Sequence, residues 1–294
     1  MSGMLAAEVR VALGSFVLDA ALTAAPGEIV AVLGPNGAGK STLLAALAGH
    51  RALTEGSVRI GGRVLDGPGT RVAPAGRRVG LLGQRALLFP HLTALENVAF
   101  GPRSQGVHRS VARQAARTWL DRVGLADLAA RRPAALSGGQ QQRVAIARAF
   151  AAAPDALLLD EPFAALDVQT ATQARRVVAG FAKDAGIPIL LVTHDPQDAR
   201  ELADRTIVLQ AGRIVDEGPT HAVLRRRSTA FVAALGAPAA WTATIASIER
   251  GVGAVRVRTV EQPEDPLVVP ADVADGLAPG ARLRLTVTVE EAAP

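Results

Sequence analysis

The sequence predicts an α/β domain on a mixed, mainly parallel sheet, carrying a helical insertion and followed by a small all-β domain. Three patterns predict this class. Short β-rich apolar runs alternate with amphipathic helices from the start to about residue 235, which is the signature of βαβ units. Between about Leu92 and Arg132 strand signals vanish, and Ala, Arg and Leu recur at helical spacing. Beyond Gly236-Ala237-Pro238 the apolar period drops to two.

In chain order, Glu28–Leu33 (EIVAVL) reads as a buried strand ending at a glycine, and Ser41–Ala48 as the helix behind it. Ala156–Leu159, Pro188–Thr193 and Arg205–Leu209 are further buried-strand candidates. The helical insertion occupies about residues 88–150, with Gln140–Phe150 as its last helix. Arg225–Arg227, Ser228 and Gly236-Ala237-Pro238 mark a boundary, so the domains are expected at 1–235 and 236–294. In Arg282–Val289, Leu283, Leu285, Val287 and Val289 share one face, and Arg282, Arg284, Thr286 and Thr288 the other. Ala254–Val260 alternates likewise and Trp241–Ser247 more loosely, which predicts three or four short strands, half-buried. There is no internal repeat.

Composition excludes several classes of function. The 294 residues hold 32 Lys+Arg against 27 Asp+Glu, a formal charge of +5, and the pI is about 10.9. Only Lys40 and Lys183 are lysines. The other cations are arginines, which stay charged to about pH 12 and above, so the pI reflects residue choice more than net charge. Residues 241–294 carry five Arg and eight acids, so a −3 segment follows a +8 one. The pairs and runs Arg77-Arg78, Arg131-Arg132 and Arg225–Arg227 read as isolated solvated surface, not a nucleic-acid stripe. An aromatic share of 3% without Tyr argues against stacking platforms for single strands. Zero cysteines remove disulfides, thiolate metal sites and Cys nucleophiles, which fits a reducing compartment. Although 49% of residues are hydrophobic, no run reaches the ~18 apolar residues of a membrane span. Met1–Arg10 has no basic segment followed by an apolar one, so a soluble intracellular protein without a signal peptide is expected.

Three motifs carry the chemistry. Gly34-Pro35-Asn36-Gly37-Ala38-Gly39-Lys40-Ser41-Thr42 fits G-x-x-x-x-G-K-[ST] between a strand and a helix. Its glycines let backbone N–H groups close around a phosphate chain, and the helix N-terminus adds partial positive charge. Lys40 would reach the β/γ oxygens, and Ser41 would offer a hydroxyl to Mg²⁺. In Leu157-Leu158-Leu159-Asp160-Glu161-Pro162, aliphatics carry Asp160 to a strand's C-terminal end, where it would hold Mg²⁺ through water. Glu161 beside it is suited to polarise an attacking water. Leu136-Ser137-Gly138-Gly139-Gln140-Gln141-Gln142-Arg143 opens a helix, with Ser137 as its cap and the Gly138 and Gly139 N–H groups as an anion site. Taken singly, these are also a glycine-rich turn with a lysine, a strand ending in an acidic turn, and a capped helix. Their combination is far more specific.

With these motifs in this order, about residues 5–235 resemble the ATP-binding cassette family, in particular the separate ATPase subunits of membrane transporters. The resemblance implies a P-loop NTPase core that uses ATP and Mg²⁺. It implies that Gln84 is the Q-loop glutamine that touches Mg²⁺ and water and faces a membrane partner. Asp167, in Ala165-Leu166-Asp167, matches the D-loop, and His194, in Val192-Thr193-His194-Asp195, matches the switch histidine that contacts the γ-phosphate. Lys40, Gln84, Glu161 and His194 form the implied catalytic set, and Ser41, Gln84 and Asp160 the implied metal set. Two copies would sandwich two ATPs head to tail, with Ser137, Gly138, Gly139 and Gln140 acting in trans. Family members usually stack adenine on an early-strand aromatic, often Tyr; here Phe16 is the nearest candidate. Arg143 and Arg148 are expected to be structural.

Arg77-Arg78-Val79-Gly80 leading into Gln84, with Leu88-Phe89-Pro90-His91-Leu92, resembles the importer branch that includes molybdate, sulfate, iron, polyamine and sugar systems. Gly62-Arg63-Val64-Leu65 and Gly276-Leu277-Ala278-Pro279-Gly280-Ala281-Arg282 are similar to molybdate importer ATPase subunits, whose C-terminal domain has an OB-like, molybdate-binding-type fold. Molybdate is therefore the first expectation; sulfate, iron, polyamine or sugar is the alternative. Two features pull against an oxyanion sensor. The segment is long enough for one β-unit where such subunits often have two, and its −3 charge does not attract a dianion. A β-domain that props the dimer stands beside a regulatory one. The implied partners are a second copy, two integral-membrane permease subunits and, indirectly, an extracytoplasmic solute-binding protein, with no nucleic acid. The implied location is peripheral, on the cytoplasmic face of the plasma (inner) membrane. A non-transport cassette ATPase acting on nucleic acid is the distant alternative. Such proteins place long coiled coils between the motifs, whereas Lys40 and Ser137 lie 97 residues apart.

Overall fold

In the computed structural model, the described residues are 3–164, 166–226, 232, 240–250, 254–259, 267–270, 278–279 and 282–286. The chain divides into two compact units, Met1–Leu235 and Gly236–Pro294. Unit one begins with the antiparallel pair β1 (Leu5–Leu13) and β2 (Phe16–Ala24), in which burial alternates residue by residue. β3 (Ile29–Leu33) follows, and a glycine-rich loop leads from it into α1 (Lys40–Ala48). β4 (Glu55–Ile60), β5 (Arg63–Gly67) and β6 (Thr70–Arg71) extend the sheet antiparallel from β1. After α2 (Pro74–Arg77) and β7 (Val79–Leu82) come the helices of the insertion, α3 (Ala94–Ser104), α4 (Arg109–Arg122) and α5 (Gly138–Ala151). The chain then alternates through β8 (Ala156–Asp160), α6 (Val168–Ala185), β9 (Ile189–Val192), α7 (Pro196–Leu202) and β10 (Arg205–Gln210). β11 (Arg213–Pro219) and α8 (Thr220–Arg226) follow.

These strands form one mixed sheet, β6-β5-β4-β1-β2-β11-β10-β3-β9-β8-β7. One half of it, β10-β3-β9-β8-β7, which ends at the edge strand β7, is parallel. Every residue of β3, β8 and β9 is buried, as expected for parallel strands covered on both faces. The flank from β1 to β6 is antiparallel, so the antiparallel share exceeds what the apolar runs predict. β1 and β2 alternate buried and more exposed residues and lack the continuous apolar stretch that marks β3 or β8.

In the insertion, Ala94, Val98, Ala112, Ala116, Val144 and Ala147 are fully buried between three helices. Alanine at these contacts lets the helices approach closely. The rings of Phe150 and Phe181 stack 4.2 Å apart, and Trp119 meets both edge-on at 5.3 and 5.5 Å, which joins the insertion to α6. Among the described residues, no helix is long and apolar enough to cross a membrane.

Arg77 corrects one expectation. Read from sequence as solvated, it is fully buried. Its Nε donates to the Val72 carbonyl at 2.9 Å, and one terminal nitrogen to the carbonyls of Ala46 and Leu47 at 3.1 Å. The other pairs with Asp66. The guanidinium thus adds donors to carbonyls of the last turn of α1 and complements the helix dipole. Arg78 stays half-exposed, paired with Asp155 at 3.2 Å.

Unit two is a four-stranded antiparallel sheet, β14-β13-β12-β15, from β12 (Ala240–Arg250), β13 (Ala254–Thr259), β14 (Leu267–Pro270) and β15 (Arg282–Thr286). Ile245 and Val257 are buried. β14 is a strand the alternation did not reveal. Arg227, Ser228, Gly236-Ala237-Pro238, Val260, Gly276, Leu277, Gly280, Ala281 and Val287–Val289 lie outside the described residues, as does Ala165 of the D-loop motif.

Arg77→Ala leaves Asp66 as an unpaired buried charge. Denaturant unfolding is expected to show a loss of about 3–5 kcal/mol, the scale for breaking a buried pair. Arg77→Lys is expected to restore little of it, because one ammonium cannot reach all four acceptors.

Candidate functional site

The apolar run of β3 ends at Leu33, and the next six residues turn the chain back into α1. Two glycines make that turn possible. A side chain on Gly34 would run into the Leu209 carbonyl, and Gly39, at φ +105°, has the Phe16 ring where its Cβ would stand, 2.9 Å away. No side chain caps α1 and its first turn holds no acid, so its leading N–H groups face the cleft without a competing acceptor. Lys40, the first residue of α1, is nearly buried. Its Nζ donates to the carbonyls of Gly34 at 2.7 Å and Pro35 at 3.0 Å. Burial pulls this ammonium below the ordinary lysine value, against the opposing carboxylates of Glu161 and Asp160.

Asp160 ends β8 directly across from α1. Its Oδ2 accepts a hydrogen bond from Ser41 Oγ at 3.0 Å. Its Oδ1 is buried and has no partner among the described residues. Burial pushes this carboxyl up and Glu161 adds to the rise, while the Ser41 hydrogen bond and Lys40 oppose it. An unpartnered buried carboxylate oxygen next to a hydroxyl is a hard oxygen donor set, and it fits Mg²⁺. Glu161 follows at φ +49°, a left-handed conformation costly for a residue with a Cβ. Its N–H is held by the Val192 carbonyl at 2.9 Å. Its Oε1 lies 3.4 Å from Nδ1 of His194, whose ring is mostly exposed at the end of β9.

Lys40, Ser41, Gln84, Asp160, Glu161 and Phe16 share one cleft of about 390 Å³, floored by the loop Asn36, Gly37, Ala38, Gly39 and closed by Thr42. Gln84 is exposed just beyond β7. Phe16 and Leu13 border the β2 side. His194 lines a neighbouring pocket of about 230 Å³ on the far side of Glu161. Asp167 caps α6, accepting from Thr170 N at 2.9 Å and Thr170 Oγ1 at 2.7 Å. The Thr170 bonds hold its carboxyl below the usual range.

Ser137, Gly138, Gly139 and Gln140 do not line this cleft. Ser137 caps α5 in a reciprocal box: its Oγ accepts from Gln140 N at 3.3 Å, and its own N–H donates to Gln140 Oε1 at 2.9 Å. The serine oxygen is thereby oriented while its hydroxyl hydrogen remains free to donate.

Two residues that support the site, Gln142 and Asn97, had no assigned role from the sequence. Gln142 is buried on α5 and donates to the Pro162 carbonyl at 3.2 Å, tying that helix to the turn after Glu161. Asn97 is fully buried and bonds to Phe89, Leu92 and Thr93 backbone groups at 2.8–3.2 Å. Its presence among the apolar positions of α3 was the available signal. Arg148, expected to be structural, donates to the carbonyls of Leu87 at 3.0 Å and Ala86 at 3.1 Å and so holds the segment after Gln84; Arg143 reaches the Val123 carbonyl at 3.0 Å.

Residues 17–164 match the family model described as ABC transporter. Over 230 residues the chain is 46% identical to the molybdenum import ATP-binding protein ModC of Mycobacterium tuberculosis, covering 76% of this chain and 62% of that one. It is 38% identical over 281 residues to the spermidine/putrescine import ATP-binding protein PotA of Acidothermus cellulolyticus, covering 95% of this chain and 71% of that one. The chain thus spans less than two thirds of the length of the molybdenum relative. Among solved structures it is similar to the ATP-binding cassette MJ0796, a dimer in a post-hydrolysis state bound to ADP and Pi. The identity is 32% and the TM-score 0.65, over 74% of this chain and 98% of that one.

Asp160→Asn should raise the thermal stability of the nucleotide-free protein, because it removes a buried charge. The folded carboxyl lies above its ordinary value, so the penalty is present above that raised value and fades as pH falls through it. Melting curves taken from neutral pH downward are expected to show the variant's advantage shrinking toward acid. An advantage that grows toward acid would contradict the assignment.

Proposed function

The chain belongs to the ABC transporter family, and from that premise we propose that it is the ATP-hydrolysing subunit of an importer, with molybdate as the first-choice solute. The observation that carries the ATPase reading is the pairing of Ser41 with a buried Asp160 whose second oxygen has no partner among the described residues, beside Lys40. Lys40 neutralises the β/γ-phosphates once ATP draws its ammonium off the Gly34 and Pro35 carbonyls. Ser41 and Asp160 are the groups that would hold Mg²⁺, with Gln84 at the cleft edge. Bound Mg²⁺ supplies positive charge against the phosphates. Glu161 takes the proton of the attacking water as general base. His194, close to Glu161, faces the γ-phosphate, and Phe16 offers the adenine a ring.

In this reading two copies close over two ATPs. The capped serine of one copy, with Gly138, Gly139 and the α5 N-terminus, donates to the phosphates held by the other. The dimeric state of the MJ0796 cassette supports that arrangement. Two permease subunits would dock near Gln84 at the cytoplasmic face of the membrane, fed by an extracytoplasmic solute-binding protein. ATP drives the cycle only because it binds the closed pair better than the open one. The 46% identity to a molybdenum import subunit supports the solute. A polyamine is the second reading, since the spermidine/putrescine relative aligns across 95% of the chain, β-unit included. The β-unit then either senses solute or props the dimer.

Lys40→Ala is expected to abolish ATP hydrolysis. Glu161→Gln is expected to keep ATP binding and to slow turnover by roughly 10²-fold or more, as loss of a general base does. Normal turnover in Glu161→Gln would remove Glu161 from that role. For the solute, a strain lacking this chain is tested for uptake of molybdate, sulfate, iron and polyamine with and without the gene restored. Restored molybdate uptake supports the first reading, and restored polyamine uptake alone replaces it with the second.

A further inference from the structure

Behind Glu161 and His194 lies a buried polar cluster that takes no part in the chemistry above. Arg175 on α6, Asp198 in the first turn of α7 and Thr193 at the end of β9 are each at most 6% exposed. Arg175 Nε donates to Asp198 Oδ1 at 2.8 Å, and its NH1 to Glu201 Oε2 at 3.3 Å; its NH2 lies 3.9 Å from Asp195 Oδ2. The Thr193 hydroxyl donates to Asp198 Oδ2 at 2.6 Å and accepts from Asp195 N at 3.0 Å. One hydroxyl on the residue before His194 therefore ties the backbone N–H of the residue after it to the Asp198 carboxylate. The same guanidinium stands 5.8 Å from the Phe163 ring, in the turn that follows Glu161.

We propose that Arg175, Asp198 and Thr193 form a positioning chain that sets the His194 turn against α6 and the Glu161 turn, and so fixes the relation between the histidine and the general base. The proposal rests on the reading of Glu161 and His194 as the pair that acts on ATP. His194 itself is mostly exposed and its ring makes one short polar contact among the described residues, to Glu161. Its position must therefore come from its backbone, and the backbone is held by Thr193. A buried ion pair gives little stability over apolar side chains of the same volume, whereas its hydrogen-bond directions specify geometry. The pair also links two functional segments, because α6 is capped by Asp167 and carries Arg175 two turns further on. A displacement of that helix is thereby delivered to the His194 turn.

The test uses Thr193→Val, which keeps the shape and removes the hydroxyl, and Thr193→Ser, which keeps the hydroxyl. In steady-state MgATP hydrolysis, Thr193→Val is expected to lower kcat about tenfold with KM within about twofold, and Thr193→Ser to stay within about twofold of the parent in both. Thermal melting of both variants is measured alongside, so that loss of fold is separated from loss of geometry. Arg175→Met is expected to reproduce the kcat defect. The His194 ring resonance, identified by its absence in His194→Gln, is expected to shift or broaden in Thr193→Val and not in Thr193→Ser. Equal kinetics for the two Thr193 variants, a rise in KM with kcat intact, or an unchanged His194 resonance would overturn the proposal. If the parent hydrolyses no ATP, the proposed function fails, and the His194 resonance alone decides whether the chain positions that ring.

Discussion

Every side chain of β3, β8 and β9 is buried, on both faces of the sheet, and this constraint organises the molecule. Strands so enclosed have no place for polar groups along their length, because a buried polar atom without a partner is costly. Polar chemistry is pushed to their ends. Since the strands run parallel and pair in register, their C-terminal ends open on one edge. There the loop before Lys40, the Asp160-Glu161 pair and the Thr193-His194 pair meet without any long-range design beyond the sheet itself.

At that edge the charges are held in a prepared but incomplete state. Lys40 rests on two carbonyls and Asp160 on one hydroxyl, while the second carboxylate oxygen lacks a partner among the described residues. Burial disfavours the charged form of both groups. In the proposed function, a phosphate chain with Mg²⁺ would reverse those penalties by giving each charge its complement.

Around this edge, connections between elements are made largely by arginine. Arg77 joins α1 to the antiparallel flank, Arg148 joins α5 to the segment after Gln84, and Arg175 joins α6 to α7. A planar guanidinium with five donors in fixed directions bridges several acceptors at once, which an ammonium cannot do. The scarcity of lysine therefore has a structural side. Of the two lysines, Lys40 occupies the position where a compact charge meets the β/γ-phosphates in the proposed function.

What could be read from the sequence was whatever depends on neighbours in the chain. The glycines before Lys40, the aliphatic run carrying Asp160 and the serine cap before Gln140 encode local backbone geometry, so spacing alone exposed them. β1 and β2 escaped because their alternating burial needs a partner strand to become meaningful. Sequence by itself determined the parallel core, the order of the motifs and the chemistry they can carry. Only the tertiary structure decided that Arg77 is buried, that Arg175 reaches Thr193 through Asp198, and that one oxygen of Asp160 stands without a partner among the described residues. These facts depend on groups far apart in the chain, with 31 positions separating Arg77 from Ala46 and 119 separating Ser41 from Asp160. No local periodicity records such a distance, because it is closed only when the helices pack onto the finished sheet.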